Sequence, residues 1–454
     1  MNRRTAPRRL ETLLRSLRAL VVVATGGLLA GHAESNAAAE PTAPPPDDPI
    51  SGFVVPADGN AERPLPKIVI LPSLSPDMED VTLQSVVRRD LELSGEFEIL
   101  GDNVKPDGFD PYAPTIDVKA WGDKGAEALV RLVGKKLNDT TVELRAQAYL
   151  VESGNDPIFD KRFEVPLTRV RAESHYVSDQ VMGALTGTQG GFFSHLTFVS
   201  GIGSRRRVYR IDSDGFDAKA ISPVDHVAIA PAYGQNGELY WSASIDKDEY
   251  KIFRASDPTT PIKTNVKGSV YGLAFSKDYS QVAVSIGIND TIKVFTGPSF
   301  DQLKEASNIG LAMRPNFTPT GKLAFAGEGK FGQRIYVDGK AISPDGLMAS
   351  APTFCRHPDG IRAVFAVGVG KTTDLVATGE SGGGLYRLTQ GMGSNGYPAC
   401  SPDGRLVAFF STRSGAEGLY VMRVSGGRAK RVSTLMGDSL RWDRLPPTQA
   451  IEKK

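Results

Sequence analysis

Three glycine-rich strings in the second half of the chain have spacings that could support catalysis or phosphate binding. Residues 379–383 have the G-x-S-x-G spacing of a nucleophilic serine elbow, which requires a strand-to-helix turn and a histidine later in the chain. The last histidine, His357, precedes Ser381, and no helical pattern follows the serine. We therefore predict a hairpin turn at Ser381.

The other two strings resemble nucleotide-binding loops. Gly370, Lys371 and Thr372 have the order found at the end of a phosphate-binding loop, but Phe365 occupies the position of its first glycine. Residues 391–396 match G-x-G-x-x-G and then continue into a strand pattern. Both motifs need a helix directly after them, because its N-terminal amides hold the phosphate. Neither string has one, so we predict loops.

The carboxylates and histidines lack the spacing of a metal site. Three aspartates could offer oxygens to calcium, but their spacing differs from that of the twelve-residue calcium loop and better fits a tight turn: Asp212, Asp214 and Asp217. His175 and Asp179 are four residues apart on a helical pattern, which predicts a structural contact. Three further histidines lie in separate strands or loops: His195, His226 and His357. We expect no catalytic, cofactor-binding or metal-binding residue.

The charge distribution indicates export and argues against a nucleic-acid partner. The net charge is +1 over 454 residues, and residues 1–39 contain six arginines against two glutamates. The remainder is therefore slightly acidic and lacks the basic footprint of a nucleic-acid-binding protein. The arginines precede an apolar stretch of about 12 residues, shorter than the ~20 residues that span a membrane. We predict a signal peptide at 1–39, cleaved after Ala33 or Ala39, and a mature protein without a membrane span; an uncleaved anchor is the alternative.

A proline-rich spacer and an α/β pattern follow. Residues 40–49 read EPTAPPPDDP, which favours an extended segment, and a short strand-like run at 50–55 completes a region assigned to 40–60. Residues 61–188 predict a small α/β domain. Its predicted elements are a strand at 67–71, a helix ending at Gly95, strands at 97–100, 128–137 and 141–151, and a helix over about 168–185 that ends at Gly187.

A short phrase then recurs at intervals of about forty residues, a period typical of propeller blades. Its best copy is PACSPDG, beginning at Pro398, with further copies beginning at Pro315 and Pro231 and looser ones at Leu273 and Pro358. The apolar strands predict six blades over 189–445: 196–199, 239–241, 282–284, 323–325, 363–367 and 406–410. Residues 439–442 resemble one more innermost strand, whose pairing with 196–199 would close the ring and remove exposed strand edges.

The predicted fold class is therefore an α/β N-terminal domain followed by a six-bladed all-β propeller, with a C-terminal tail at 446–454. The two cysteines, Cys355 and Cys400, fall in equivalent innermost strands of neighbouring blades. Such strands fan apart around an axis, and a disulfide needs Cα atoms within ~7 Å. We therefore expect buried free thiols; a disulfide, which export would permit, is the alternative.

Together these features resemble the TolB family of the bacterial Tol–Pal system. The matching residues are the phrase VVRRDLELSGEF at 86–97, the segment from Arg171 to Leu185, the passage TGTQGGF at 186–192 and the SPDG repeat at 401–404. The repeat occurs in many unrelated propellers, whereas its combination with this N-terminal domain is specific. The resemblance covers nearly all of residues 50–445.

The resemblance implies a non-catalytic, monomeric periplasmic adaptor without a cofactor, which supports outer-membrane integrity and cell division. Its implied partners are the lipoprotein Pal, the inner-membrane protein TolA and other Tol-system envelope proteins. The implied Pal contacts lie at the propeller mouth: Ser269, Gly272, Met313, Arg314, Ser350, Ala351, Gly396 and Tyr397. The implied TolA contacts lie in the N-terminal strand: Ile50, Phe53, Val54 and Val55. Related sequences often carry an acidic residue where this chain has Arg314.

Two alternatives come from other function classes. A generic exported propeller could bind another protein or a carbohydrate. A propeller that gates a peptidase is disfavoured, because residues 61–188 are too short for a catalytic domain and offer no nucleophile–base pair.

Overall fold

An α/β domain is connected to a six-bladed β-propeller in the computed structural model, which describes residues 50, 64–245, 249–444 and 447–453. The predicted fold class is confirmed. The predicted signal peptide and the spacer before Ile50 lie outside the described residues. In the part of the chain that is described, no helix has both the length and the apolar character needed to cross a membrane.

The α/β domain has one mixed sheet with helices packed against it. Its helices are α1 (Met78–Ser94), α2 (Val118–Gly122) and α3 (Val170–Thr186). Its strands are β1 (Lys67–Ile70), β2 (Glu98–Ile99), β3 (Ala128–Lys136), β4 (Thr141–Leu150), β5 (Phe159–Pro166) and β30 (Ile451–Lys453). The sheet order is β2-β1-β3-β4-β5-β30, parallel where β1 pairs with β2 and β3 and antiparallel elsewhere.

The periodicities that predict these elements also determine their packing. The alternating residues of β4 and the apolar stripe of α1 meet in one buried core: Leu83, Val87, Leu91, Val142, Leu144, Ala146 and Ala148. Helix α1 ends at Gly95, whose φ of 66° lies in the left-handed region that closes many helices.

Each blade of the propeller is a four-stranded antiparallel sheet. Blade 1 contains β6 (Ser194–Ser200), β7 (Arg207–Asp212), β8 (Lys219–Ala220) and the late strand β29 (Asp438–Arg444). Blade 2 contains β9 (Val227–Tyr233), β10 (Leu239–Ser244), β11 (Lys251–Arg254) and β12 (Asp257–Ile262). Blade 3 contains β13 (Ser269–Phe275), β14 (Val282–Ile288), β15 (Thr291–Gly297) and β16 (Lys304–Glu305).

The remaining blades follow the same order along the chain. Blade 4 contains β17 (Met313–Phe317), β18 (Leu323–Glu328), β19 (Gln333–Val337) and β20 (Lys340–Ala341). Blade 5 contains β21 (Ala349–His357), β22 (Gly360–Val369), β23 (Thr372–Gly379) and β24 (Tyr386–Arg387). Blade 6 contains β25 (Asn395–Cys400), β26 (Leu406–Ser411), β27 (Gly418–Arg423) and β28 (Lys430–Ser433).

The ring closes as predicted, because β29 completes blade 1 by pairing antiparallel with β6. Trp442 lies opposite Leu196, and its Nε1–H donates a hydrogen bond of 2.7 Å to Oγ of Ser194. The closing strand is thus held by both backbone pairing and a buried side-chain contact.

The expectation of free thiols is wrong, because Cys355 and Cys400 form a disulfide. Their Cα atoms are 5.2 Å apart, within the reach of a disulfide. The amide of Cys400 also donates to Oγ1 of Thr353 at 3.3 Å. The innermost strands of blades 5 and 6 therefore lie close together at this point. Innermost strands diverge less near the axis than the sequence-based expectation assumed.

The segment assigned to a C-terminal tail returns to the first domain. Within 446–454, β30 pairs antiparallel with the edge strand β5, with Glu452 opposite Phe163. Before it, the amide of Gln449 donates to Oε1 of Glu173 on α3 at 3.1 Å. This part of the segment belongs to the N-terminal sheet. The sequence gives little warning of it, since three residues are too few to show a periodicity.

Candidate functional site at the propeller mouth

All six innermost strands are irregular at the same end of the central channel, which we call the mouth. The pairing of each innermost strand with the second strand of its blade shifts by one residue, as in a β-bulge. The shifts fall between Ile229 and Ala232, Val270 and Gly272, Met313 and Asn316, Ser350 and Thr353, Gly396 and Ala399, and Asp438 and Arg441.

Five of these bulges contain a non-glycine residue with positive φ: Ala230 (49°), Arg314 (54°), Ala351 (53°), Tyr397 (56°) and Ser439 (56°). Backbone conformations of this kind cost of order 1–3 kcal/mol each and concentrate at functional sites. All but Ser439 precede a proline, which restricts the preceding residue further. A repeated ring of strained residues makes the mouth the candidate site.

The structure places the eight sequence-predicted mouth residues at this end of β13, β17, β21 and β25, in blades 3 to 6. Their proximity follows from the blade repeat, since each occupies a similar place in its own strand. Gly272 lies so close to blade 4 that a Cβ there would meet Cδ of Pro315 at 2.5 Å. Their role in binding Pal stays a prediction.

Arg314 and Tyr397 are in direct contact across the mouth. The guanidinium carbon of Arg314 in blade 4 lies 4.5 Å from the centre of the Tyr397 ring in blade 6. Blade 5 lies between these two blades in the ring, with Ala351 at the equivalent position of β21. Such a cation–π contact contributes ~0.5–2 kcal/mol, and it holds a positive charge over the channel.

A second arginine of the channel, Arg441, was missed by sequence reasoning. It lies in β29, two residues beyond the bulge residue Ser439, and its Nη2 lies 3.5 Å from the carbonyl oxygen of Leu273 in blade 3. Burial, together with the charge of Arg314, lowers the pKa of Arg441 to about 10. Arg441 could have been identified from the predicted closing strand at 439–442, because the inward-facing residues of an innermost strand line the channel.

The loops around the mouth carry exposed apolar side chains. Among the described residues of the propeller, five of the six exposed large hydrophobic residues lie in mouth-side loops: Ile202, Val224, Phe331, Met348 and Met392. Exposed apolar residues that surround one site are typical of protein interfaces. The mouth thus combines an apolar rim with a cationic centre.

The predicted N-terminal strand contacts the propeller at its first residue. Ile50 is fully buried in the core between blades 4 and 5, in a cluster that includes Ile342, Leu347 and Ala349. Ala349 directly precedes the predicted mouth residue Ser350. The other predicted residues of this strand, Phe53, Val54 and Val55, lie outside the described residues.

The catalysis-like strings are all in turns or loops. Ser381 lies in the turn between β23 and β24, and Lys371 in the hairpin between β22 and β23. Residues 391–394 form the loop before β25. In each case a strand follows, so these strings provide neither a serine elbow nor helix amides for a phosphate.

The predicted contact between His175 and Asp179 is wrong. Nδ1 of His175 instead lies 2.7 Å from Oδ2 of Asp90 on α1, whereas Asp179 accepts hydrogen bonds from the amides of Phe192 and Phe193 at 2.8 and 2.9 Å. Burial would by itself lower the pKa of His175, but the Asp90 carboxylate outweighs it and raises the pKa to about 9.

Asp90, His175 and Asp214 are the one group of three potential metal ligands that the described residues bring together. Asp214 lies on the propeller, and it already forms a salt bridge with Arg171; Nε of Arg89 is 3.9 Å from the same carboxylate. Arginine and histidine therefore already supply the positive charge here, and a metal ion would have to compete with them. The cluster joins the two domains at the end of the propeller opposite the mouth.

Comparisons with known proteins support the resemblance seen in the sequence. Residues 58–155 match the model of the TolB amino-terminal domain family. The Tol-Pal system protein TolB of Albidiferax ferrireducens is 25% identical over 177 residues, which are 38% of this chain and 39% of that protein. The protein of the same name from Polaromonas naphthalenivorans is 27% identical over 208 residues, 44% of this chain and 46% of that protein.

The matched region thus spans less than half the length of these curated relatives. Structural similarity covers more of the chain than these sequence matches do. The crystal structure of TolB from Acinetobacter baumannii superposes with a TM-score of 0.67 and 21% identity, covering 84% of this chain and 96% of that one. At this identity the superposition shows a shared fold. The domain match, the relatives and the shared fold together confirm that this chain resembles TolB of the Tol–Pal system.

Proposed function

We propose that this protein is a periplasmic, non-catalytic adaptor of the Tol–Pal system that binds the lipoprotein Pal at the propeller mouth and TolA through residues 50–55. In this role it supports outer-membrane integrity and cell division. The observation that carries the proposal is the ring of strained bulges around Arg314 and Tyr397, surrounded by exposed apolar side chains. A surface of this composition suits a protein partner, because aromatic and arginine residues at the centre of an interface often dominate its binding energy.

The proposal is tested by titrating the soluble domain of the Pal homologue from the same organism into the protein in a calorimeter. We expect Tyr397→Ala to weaken binding by about tenfold or more, since it removes a central aromatic anchor and the support of Arg314. The matched control is Tyr112→Ala, which removes a tyrosine that is 70% exposed on the α/β domain. Absence of Pal binding to the unmodified protein, or equal affinity of the Tyr397→Ala variant, contradicts the proposal.

The burial of Ile50 supports a coupling between the two binding segments. If TolA takes up residues 50–55, Ile50 must leave a cluster that continues to Ala349, beside the mouth. Such coupling is reciprocal in free energy. A variant lacking residues 40–56 should therefore bind the Pal domain with an altered dissociation constant. An unchanged dissociation constant would contradict the coupling, whereas the adaptor role itself is tested by the calorimetric titration.

A further inference from the structure

Two guanidinium groups in the mouth have no carboxylate partner in the part of the chain that the structure describes. Among the described residues, neither Arg314 nor Arg441 forms an ion pair. Arg314 contacts the face of Tyr397. Arg441 reaches only the carbonyl oxygens of Leu440 and Leu273, at 3.4 and 3.5 Å. Both cations are partly buried, so water compensates their charge less well than it does at an open surface.

The acidic residues of β29 do not neutralise this pair. Asp438, at the mouth end of the strand, is occupied by Arg206 at 2.8 Å. Asp443 lies two residues beyond Arg441 towards the opposite end of the channel, where burial raises the pKa values of Tyr233 and Tyr279 and the charge of Asp443 adds to that effect. The positive charge of Arg314 and Arg441 thus lies at the mouth end of the channel.

The two arginines also reach across the channel from different sides. Arg314 extends from blade 4 to blade 6, whereas Arg441 extends from blade 1 to blade 3. Arg441 lies deeper than Arg314 by its place in the strand. An anionic group that enters along the axis would therefore meet both guanidiniums in succession.

We propose that a carboxylate side chain, carried on an acidic loop of the protein that binds the mouth, inserts between Arg314 and Arg441. Guanidinium groups bind carboxylates with paired, charge-assisted hydrogen bonds. The apolar rim of Ile202, Val224, Phe331, Met348 and Met392 selects a protein loop over a free anion, because only a protein partner would cover these residues at the same time. This inference rests on the proposed function, in that the partner is the one that docks at the mouth.

The first test measures the affinity of the Pal soluble domain at 50 and 300 mM salt for the unmodified protein and for Arg314→Gln and Arg441→Gln. Each substitution should weaken binding about tenfold or more at low salt and reduce its salt dependence, because one charge contact is lost. The variant Arg441→Lys keeps the charge and should recover part of the affinity, which separates a charge effect from misfolding. Lys371→Gln removes one exposed charge from a mouth-side hairpin and should bind within twofold of the unmodified protein.

Affinities of Arg314→Gln and Arg441→Gln that stay within twofold of the unmodified protein overturn the inference while leaving Pal binding intact. If Pal does not bind at all, the proposed function fails and a second probe decides the inference. The side-chain Nε signals of Arg314 and Arg441 should then shift with millimolar Ac-Gly-Glu-Glu-Gly-amide and remain in place with its glutamine counterpart. Equal responses to the two peptides, or no response to either, overturn it.

Discussion

The buried pair of His175 and Asp90 shows how single residues join the two long helices of the α/β domain, α1 and α3. The imidazole Nδ1 and the carboxylate Oδ2 are 2.7 Å apart, and both side chains are almost fully buried. Oδ1 of Asp90 and Nε2 of His175 have no hydrogen-bond partner among the described residues. A buried pair that is only partly satisfied depends strongly on both of its charges, because removing one leaves the other uncompensated.

We predict that His175→Gln destabilises the protein by about 3–5 kcal/mol near pH 6.5, the usual cost of breaking a buried ion pair. Because Asp90 raises the pKa of His175 from 6.5 to about 9, the stabilisation from the charged imidazole is present at pH 6.5 and is lost as the pH rises through 9. Burial raises the pKa of Asp90 to about 6, so the comparison starts above that pH. The difference in unfolding free energy between the unmodified protein and the variant should therefore shrink from pH 6.5 to 9 in urea titrations.

The double variant Asp90→Asn with His175→Gln is the control for this pH dependence. With both charges absent, its unfolding free energy should exceed that of His175→Gln alone at pH 6.5. A difference between the unmodified protein and His175→Gln that stays constant from pH 6.5 to 9 would show that the imidazole is neutral in the folded protein.

At the scale of elements, adjacent innermost strands approach closely beside a bulge. Gly272 in β13 packs against Pro315 in β17, and an added Cβ would lie 2.5 Å from Cδ of that ring and 3.1 Å from Oγ of Ser285. Gly396 in β25 has open space around it, with nothing within 4 Å of an added Cβ. Both glycines are predicted mouth residues, but they differ in what surrounds them.

Gly272→Ala should therefore destabilise the protein by about 1–3 kcal/mol, the typical cost of overpacking. Gly396→Ala is the matched control and should change the unfolding free energy by less than ~0.5 kcal/mol. Thermal unfolding of both variants, followed by circular dichroism, provides the comparison. Equal stability of the two variants would mean that β13 and β17 can separate without cost.

Sequence periodicity predicts the elements well because it reflects contacts within one strand, one helix or one repeat. The stripe of α1 and the alternation of β4 are of this kind. The long-range pairing of Trp442 with Leu196 was predictable because residues 439–442 repeat the pattern of an innermost strand. The disulfide, strand β30 and the His175–Asp90 pair join segments that only the three-dimensional fold brings together, such as residues 85 positions apart. Arg441 was predictable only in part: the sequence predicts its strand but not its contact with Leu273.

At the scale of the whole molecule, the propeller depends on the closure of blade 1. Trp442 is 9% exposed and links β29 to Ser194 at the start of β6. Its ring also belongs to the core cluster shared by both domains. The closing strand therefore contributes to the stability of the ring and to the contact between the ring and the α/β domain.

We predict that Trp442→Ala destabilises the protein by about 3–5 kcal/mol, as expected for a large buried aromatic side chain. Trp442→Phe keeps much of the packing and loses the hydrogen bond to Ser194, so its cost should be about 1–3 kcal/mol. Urea unfolding measures both values, and limited proteolysis should cut Trp442→Ala faster in blade 1. Equal stability of Trp442→Ala and the unmodified protein would mean that other residues of β29 stabilise the closed ring.

Strand β30 has a mechanical consequence. The polypeptide enters the ring from α3 and, after the last blade, comes back to lie along β5, so the ring is tethered to its neighbour at two points. Rotation of the ring relative to the α/β domain must therefore separate β30 from β5 in addition to breaking the shared core cluster and the Arg171–Asp214 salt bridge between the two domains.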